Sequence, residues 1–282
     1  MQIYRSLDEV VEAGTIAPDS IINADCLEAM KFIPDKSIDC IICDLPYGTT
    51  SHHWDSVIPF DLLWEQYKRI IKPNGAIALF SGQPFTSALV MSNPKWFKYE
   101  WIWDKRMTNN FAMAKKQPLR SHENICVFYK NQCKYYPQND NTRTSRPFGK
   151  CEGSSSSVYG NHGAVKNFKV GYPKLIITFA RPNNLSKDGN IHPTQKPVPL
   201  IEYLIKTYTL EDEIIVDNTA GSGTLAIAAI NTNRRYICIE KDPDYFEVMR
   251  DRIEKHDPNA LTTPKKTRKP KAIPEGQLRL FG

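Results

Sequence analysis

Twice in this chain a short apolar run ends on an aspartate and breaks at once into a turn. The first is Ile38-Asp39-Cys40-Ile41-Ile42-Cys43, which leads into Asp44-Leu45-Pro46-Tyr47-Gly48. The second is Ile214-Ile215-Val216, which leads into Asp217 and the glycine turn Ala220-Gly221-Ser222-Gly223. Runs of this composition, bounded by turn formers, read as buried strands. Further strands are expected at 21–23, 76–80 and 236–239, and helices near 27–33, 60–71, 197–207 and 224–230. Lys72-Pro73-Asn74-Gly75 reads as a turn between the helix ending near 71 and the strand at 76–80. Such alternation implies an α/β fold with a doubly wound, mostly parallel sheet and right-handed crossovers. Sheets of this kind bind ligands beyond the carboxyl ends of their strands, where Asp44 and Asp217 both stand.

Charge divides the chain more sharply than its overall +6 suggests. Residues 100–187 hold 15 Lys/Arg against 5 Asp/Glu, a net +10, and residues 257–282 hold 6 against 2, a net +4. The rest holds 16 against 24, a net −8. A basic segment set into an acidic body favours a polyanionic partner, nucleic acid first, over a merely solvated lysine-rich surface. Four regions follow: 1–99, the basic insertion 100–187, 188–256, and a tail at 257–282 whose Pro/Lys-rich composition reads as disordered. The charged start Met1-Gln2-Ile3-Tyr4-Arg5 is unlike a signal peptide, and no apolar run approaches membrane length. The seven cysteines are odd in number and scattered. Cys40 and Cys43 have metal-site spacing, but residues three apart on a strand face opposite ways. Buried thiols of a reducing cytoplasm are expected instead, with no metal.

The turn after Val216 lacks the lysine of a phosphate-binding loop and the third glycine of a dinucleotide fingerprint. Its aspartate would repel a phosphate and attract an ammonium. Glu240 closes the next strand, roughly 20 residues on, where an acid accepts hydrogen bonds from ribose hydroxyls. A ligand with a ribose, a positive amino group and no phosphate is S-adenosylmethionine. An ordinary strand-to-helix turn is the plainer alternative.

Over roughly residues 20–256 the sequence resembles the DNA amino-methyltransferases, in the permuted group whose catalytic motif precedes its cofactor motif. Asp44-Leu45-Pro46-Tyr47 is similar to the family's Asp-Pro-Pro-Tyr motif, Leu45 being a departure. Asp217 to Gly223, with Thr219 and Gly221 between, resembles its cofactor loop, and Glu240 its ribose acid. Asn23-Ala24-Asp25-Cys26 is similar to the segment beside the cofactor's adenine, which implicates Asp25 and Cys26. Residues 192–205 resemble the segment beside the methionine end, which implicates Lys196. The resemblance implies a Rossmann-like methyltransferase fold of seven strands, with 38–43 and 214–216 as neighbours. It also implies methyl transfer to adenine N6, because aspartate in the first catalytic position leans to adenine and serine to cytosine N4. A cytosine-N4 DNA methyltransferase is the nearest rival reading; a methyltransferase of RNA or protein, and a degenerate module kept for DNA binding, are the others.

On that reading the target base is swung out of the duplex, at a cost of a few kcal/mol. Tyr47 would recover about 1–3 kcal/mol by stacking on it. Asp44 and the carbonyl of Leu45 would accept the two amine N–H bonds. His53 and Trp54 in the following loop are candidates to clamp the base or fill its gap. Lys105, Arg106, Lys115, Lys116 and Arg120 are the expected phosphate contacts, and 131–185 the sequence-reading insertion. At the chain end, Gln277-Leu278-Arg279-Leu280-Phe281 resembles the short motif by which bacterial replication and repair proteins bind the sliding clamp, Arg279 being a departure.

Overall fold

The computed structural model describes residues 1–48, 55–109, 111–138, 155–156, 160–161, 172–182 and 195–256. The first half runs β1 (Gln2–Tyr4), α1 (Leu7–Ala13), β2 (Ser20–Asn23), α2 (Cys26–Met30), β3 (Ile38–Asp44), α3 (Phe60–Ile70), β4 (Ile71–Ser81) and α4 (Phe85–Ser92). A long hairpin follows, β5 (Phe97–Asn109) and β6 (Arg120–Phe128), then the two-residue strands β7 (Ser155–Ser156) and β8 (Gly160–Asn161) and the edge strand β9 (Ile176–Thr178). The chain then resumes alternation with α5 (Val198–Tyr208), β10 (Ile214–Asp217), α6 (Thr224–Asn231), β11 (Arg235–Glu240) and α7 (Pro243–His256).

One nine-stranded sheet, in the order β1-β2-β11-β10-β3-β4-β6-β5-β9, holds every strand but β7 and β8, which pair with each other. Five of the seven inner strands are the ones expected individually; β5 and β6 bring the inner count to the seven that the resemblance implies, and a three-residue strand is added at each edge. Those two runs are too short to show a period of their own. They form because a neighbour offers unpaired backbone groups: Gln2–Tyr4 lies along Ser20–Ile22, and Ile176–Thr178 along Ile102–Asp104. β3 and β10 pair in parallel, Ile215 opposite Cys40 and Val216 opposite Ile41, so Asp44 and Asp217 emerge at one end of the sheet. Only β6 runs against its neighbours β4 and β5.

The sheet carries one apolar layer on each face. Side chains of α5, α6 and α7 cover the face of Cys40, Ile42 and Phe80, while those of α2, α3 and α4 cover the face of Cys43, Ile41 and Leu79. Cys40 and Cys43 thus lie in different layers, as period-two alternation requires. In α3 the buried Leu63, Trp64, Tyr67 and Ile70 recur at helical spacing and form its inward stripe. The expected turn at 72–75 is instead drawn into β4. There the pairing jumps from Ile38–Ile71 to Cys40–Ala76, and a side chain at Gly75 would press within 2.8 Å of the Asp39 carbonyl. Among the described residues no helix is long and apolar enough to cross a membrane.

Candidate active site

A cavity of about 790 Å³ opens at the carboxyl ends of β3, β10 and β11. Asp44 to Tyr47 form one wall, Asp217 to Ser222 the floor, and Asp25, Cys26 and Glu240 the far side.

Asp44 is the last residue of β3, and its two carboxylate oxygens are held differently. Tyr47 donates its hydroxyl to Oδ1 at 2.9 Å, and Lys196 donates its ammonium to Oδ2. Burial pushes this carboxyl up; Lys196 pulls it back and Glu123 adds to the rise. Tyr47 stacks on Phe85, with ring centroids 4.9 Å apart and planes 26° from parallel. Burial holds its hydroxyl well up in pKa, so it stays a proton donor to Asp44. Pro46 fixes the chain between these two residues. Gly48 follows in the left-handed region at φ 67°, its N–H donating to Asp55 Oδ1 at 2.9 Å. Leu45 is buried in the layer of Cys43 and Leu79, an apolar role that proline would fill less fully.

Thr219 joins the two aspartate strands. Its hydroxyl donates to the Asp44 carbonyl at 2.9 Å, and its backbone N–H donates to Asp217 Oδ1 at 3.1 Å. The Cys43 thiol, kept protonated by burial, lies 2.9 Å from the same hydroxyl oxygen. Asp217 is 9% exposed, and burial pushes its carboxyl up to about 7. The neighbouring Asp44 and Glu240 charges add to the rise, against the Thr219 N–H and the Cys43 thiol.

Glu240 accepts from the Gly221 N–H at 2.7 Å and the Asp242 N–H at 2.8 Å. Its carboxyl is raised by burial against these bonds. Gly221 sits at φ 52° and Gly223 at φ 75°. Unlike the other loop residues singled out above, Gly223 is not on the cavity wall; a Cβ there would come within 2.6 Å of Met249. It shapes the turn at the start of α6. Asp25 caps α2 through the Leu27 N–H and pairs with Lys241 at 3.1 Å. Burial pushes the Cys26 thiol up to about 11, so Cys26 presents a neutral sulfur, which accepts from Asn218 at 3.4 Å. Tyr67 in turn donates to Asn218, and this buried pair supports the loop from below. Asn218 falls within the cofactor loop read from the sequence, whereas nothing in the sequence marks Tyr67 as its partner.

Two lysines are held inside the cavity by acids. Lys196, implicated beside the cofactor's methionine end, pairs with Asp44 and lies 3.5 Å from Glu123 Oε2, over the Phe80 ring at 5.1 Å. Lys105, expected on a phosphate, is 4% exposed and pairs with Glu123 inside the cavity. The alternation of β5 explains it: Trp101, Trp103 and Lys105 point inward, whereas Arg106 points to solvent. Glu123, the partner of both, is one of only 5 acids in the basic region, and that isolation was its one visible signal. Arg106, Lys115, Lys116 and Arg120 are exposed on the β5–β6 hairpin. His53, Trp54, Gln277, Leu278, Leu280 and Phe281 lie outside the described residues. Among the described residues no three His, Cys, Asp or Glu side chains are grouped to hold a metal ion.

Known proteins resemble this chain in sequence and in fold. The chain is 27% identical over 247 residues to the Type II methyltransferase M.HpaI of Haemophilus parainfluenzae, covering 83% of this chain and 74% of that protein. It is 25% identical over 248 residues to the DNA adenine methyltransferase YhdJ of Escherichia coli K12, covering 81% and 80%. The fold is shared with M1.HpyAVI, solved as its SAM complex, at a TM-score of 0.58 and 22% identity over 83% of this chain and 98% of that one. It is shared too with the cytosine-N4-specific PvuII DNA methyltransferase, at a TM-score of 0.61 and 15% identity over 87% and 92%. The family model described as DNA methylase matches residues 38–251, from the start of β3 into α7, and the chain belongs to that family.

Proposed function

We propose that this DNA methylase transfers a methyl group from S-adenosylmethionine to the exocyclic N6 amine of an adenine turned out of duplex DNA. The observation that carries the reading is the single cavity shared by Asp44 and Asp217, tied together through Thr219. S-adenosylmethionine, when bound, supplies an electrophilic sulfonium methyl. The donor set fits it. Asp217 is a buried carboxyl with excess negative charge around it, which the ligand's ammonium offsets. Glu240 and Asp25 offer carboxylates to hydroxyl and amine groups, and Cys26 a neutral, polarisable wall for an adenine ring.

The remaining chemistry belongs to the acceptor side. An exocyclic amine is a weak nucleophile because its lone pair is delocalised into the ring. Asp44 and the Leu45 carbonyl accept its two N–H bonds and draw the nitrogen towards tetrahedral geometry. Burial raises the basicity of Asp44, so the same carboxylate can take the proton that the nitrogen sheds. Tyr47 stacks on the base. Rate enhancement then comes from positioning and fixed charge.

Aspartate at position 44 favours adenine. The fold alone does not decide, since the PvuII enzyme of cytosine-N4 specificity shares it. Expression in a host without DNA methylation, followed by modified-base sequencing, tests the assignment: N6-methyladenine supports it, and N4-methylcytosine would replace it. The basic region 100–187 favours duplex DNA over RNA or protein, with Arg106, Lys115, Lys116 and Arg120 on the phosphates. Affinity for DNA then falls steeply with salt. Charge reversal at Lys115 and Lys116 lowers that slope by about 2, and an unchanged slope moves the DNA path elsewhere.

The tail offers a tether to the replication machinery of a bacterial nucleoid. A basic, proline-broken stretch ending in Gln277, Leu278, Leu280 and Phe281 presents apolar anchors to a partner's pocket, here the bacterial sliding clamp. Holding the enzyme near new DNA raises its local concentration on unmethylated strands. A labelled 270–282 peptide is expected to bind purified clamp in fluorescence anisotropy. Equal binding by the Leu280→Ala, Phe281→Ala peptide rejects the tether.

A further inference from the structure

The acceptor end of the cavity holds a row of alternating charges: Lys105, Glu123, Lys196 and Asp44. Its members come from β5, β6, the segment ahead of α5, and β3, so four separate parts of the chain converge on it. Other charged or titratable groups facing Asp44 are Tyr47 beside it and Asp217 from β10, and Arg181 lines the same cavity. The Lys196 ammonium is bonded to Asp44 Oδ2, on the carboxylate that the target amine must reach. An ammonium and an exocyclic amine present the same kind of N–H donor. While Lys196 is there, it competes for the acceptor and lowers the basicity of the carboxylate.

Glu123 offers the lysine a second berth. Lys105 holds Glu123 Oε1, whereas Oε2 is buried and accepts no hydrogen bond, with the Lys196 ammonium 3.5 Å away. A buried carboxylate oxygen in that condition is costly, and buried polar atoms normally have partners. Bonding distance is reached by a shift of roughly one ångström or less. The row then keeps all four charges.

We propose that Lys196 is an exchangeable stand-in for the target amine on Asp44, and that Glu123 Oε2 receives its ammonium when the base enters. Lys196 and Glu123 are positioning residues: they act through Asp44 and not on the methyl group. The exchange keeps Asp44 ionised and closed off before the base arrives. It frees the carboxylate afterwards without sending a cation into solvent. The inference rests on Asp44 being the acceptor of the target amine.

The test is steady-state kinetics of the full-length protein on duplex DNA with S-adenosylmethionine. Glu123→Gln removes the receiving charge and strands Lys196 on Asp44; kcat is expected to fall about tenfold or more, with cofactor affinity unchanged. Adding Lys196→Met removes the stranded competitor, so the double variant is expected to turn over several-fold faster than Glu123→Gln alone. A merely structural network gives the opposite order, because the second lesion adds to the first. A double variant no faster than Glu123→Gln overturns the exchange. Should Glu123→Gln fail to fold, Lys196→Met alone decides. Without the cation the Asp44 carboxyl of the free enzyme rises further, so the acid limb of kcat/KM moves to higher pH, while that of kcat, set after the lysine has passed to Glu123, moves less. An unmoved kcat/KM limb, or equal shifts in the two, overturns the proposal. Asp44→Ala separates the two levels. Wild-type turnover by that variant overturns the acceptor assignment, whereas an inactive Asp44→Ala with the wrong order in the double variant overturns the exchange alone.

Discussion

Asp44→Ala is expected to lower methyl transfer by about a thousandfold or more, while S-adenosylmethionine still binds with affinity close to that of the wild type. The two halves of this expectation come from different atoms of one residue. On the proposed mechanism the side chain supplies the carboxylate that accepts the amine N–H and takes its proton. The backbone carbonyl accepts the Thr219 hydroxyl at 2.9 Å, and alanine retains it. Thr219 also donates its N–H to Asp217, so the link from the acceptor wall to the cofactor floor survives the substitution. Tyr47 loses its 2.9 Å partner but keeps its stack on Phe85. Lys196 keeps Glu123 as a counter-charge, and the cavity is not left with an isolated buried cation. Tritium transfer to duplex DNA, with calorimetry for the cofactor, measures both halves. Turnover within tenfold of wild type sinks the acceptor role of Asp44, and loss of cofactor binding shows that the two walls are not separable.

The elements legible in sequence were those whose period or punctuation is strong. β3 and β10 are short apolar runs with a hard stop at an aspartate, and their pairing is the one that the family resemblance implied. α3 shows its stripe through Leu63, Trp64, Tyr67 and Ile70. The edge strands were hidden because three residues carry no periodicity, and pairing with a neighbour makes them strands. The polar contacts inside the cavity were harder. Lys105 and Arg106 are adjacent and equal in charge, yet β5 turns one inward and the other outward. A count of basic residues cannot tell them apart, but the alternation Trp101, Trp103, Lys105 could have. Glu123 acts through partners far along the chain, Lys105 and Lys196, and only its isolation among basic residues marks it; Asn218 falls within the legible cofactor loop, but its partner Tyr67 does not.

Binding of S-adenosylmethionine is expected to strengthen as pH rises towards about 7, and Asp217→Asn is expected to remove that dependence. The Asp217 carboxyl titrates at about 7 in the free protein, chiefly because burial penalises its charge. The ligand's ammonium favours the charged form and pulls the carboxyl back towards the usual acid range. Binding below about pH 7 therefore releases a proton, and affinity falls by up to about tenfold per pH unit on that side. Above about pH 8 the ligand's own amine begins to lose its proton, and the gain ends. The same shift acts on the unliganded fold with the opposite sense. Its folded carboxyl holds a proton that the unfolded chain gives up near 3.9. The contribution to stability is therefore complete below that pH and is lost as pH rises through about 7. The cofactor should then rescue the melting temperature most at neutral pH, where the buried charge is least matched. In Asp217→Asn the amide keeps the shape without the charge. Its affinity near pH 8 should drop by roughly ten- to a hundredfold, the scale of one charged hydrogen bond, and its profile should be flat. Calorimetry at several pH values, repeated in buffers of different ionisation enthalpy, reads affinity and proton release together. A wild-type profile without slope between about 5.5 and 7, or a variant that keeps the wild-type slope, removes Asp217 as the partner of the ammonium.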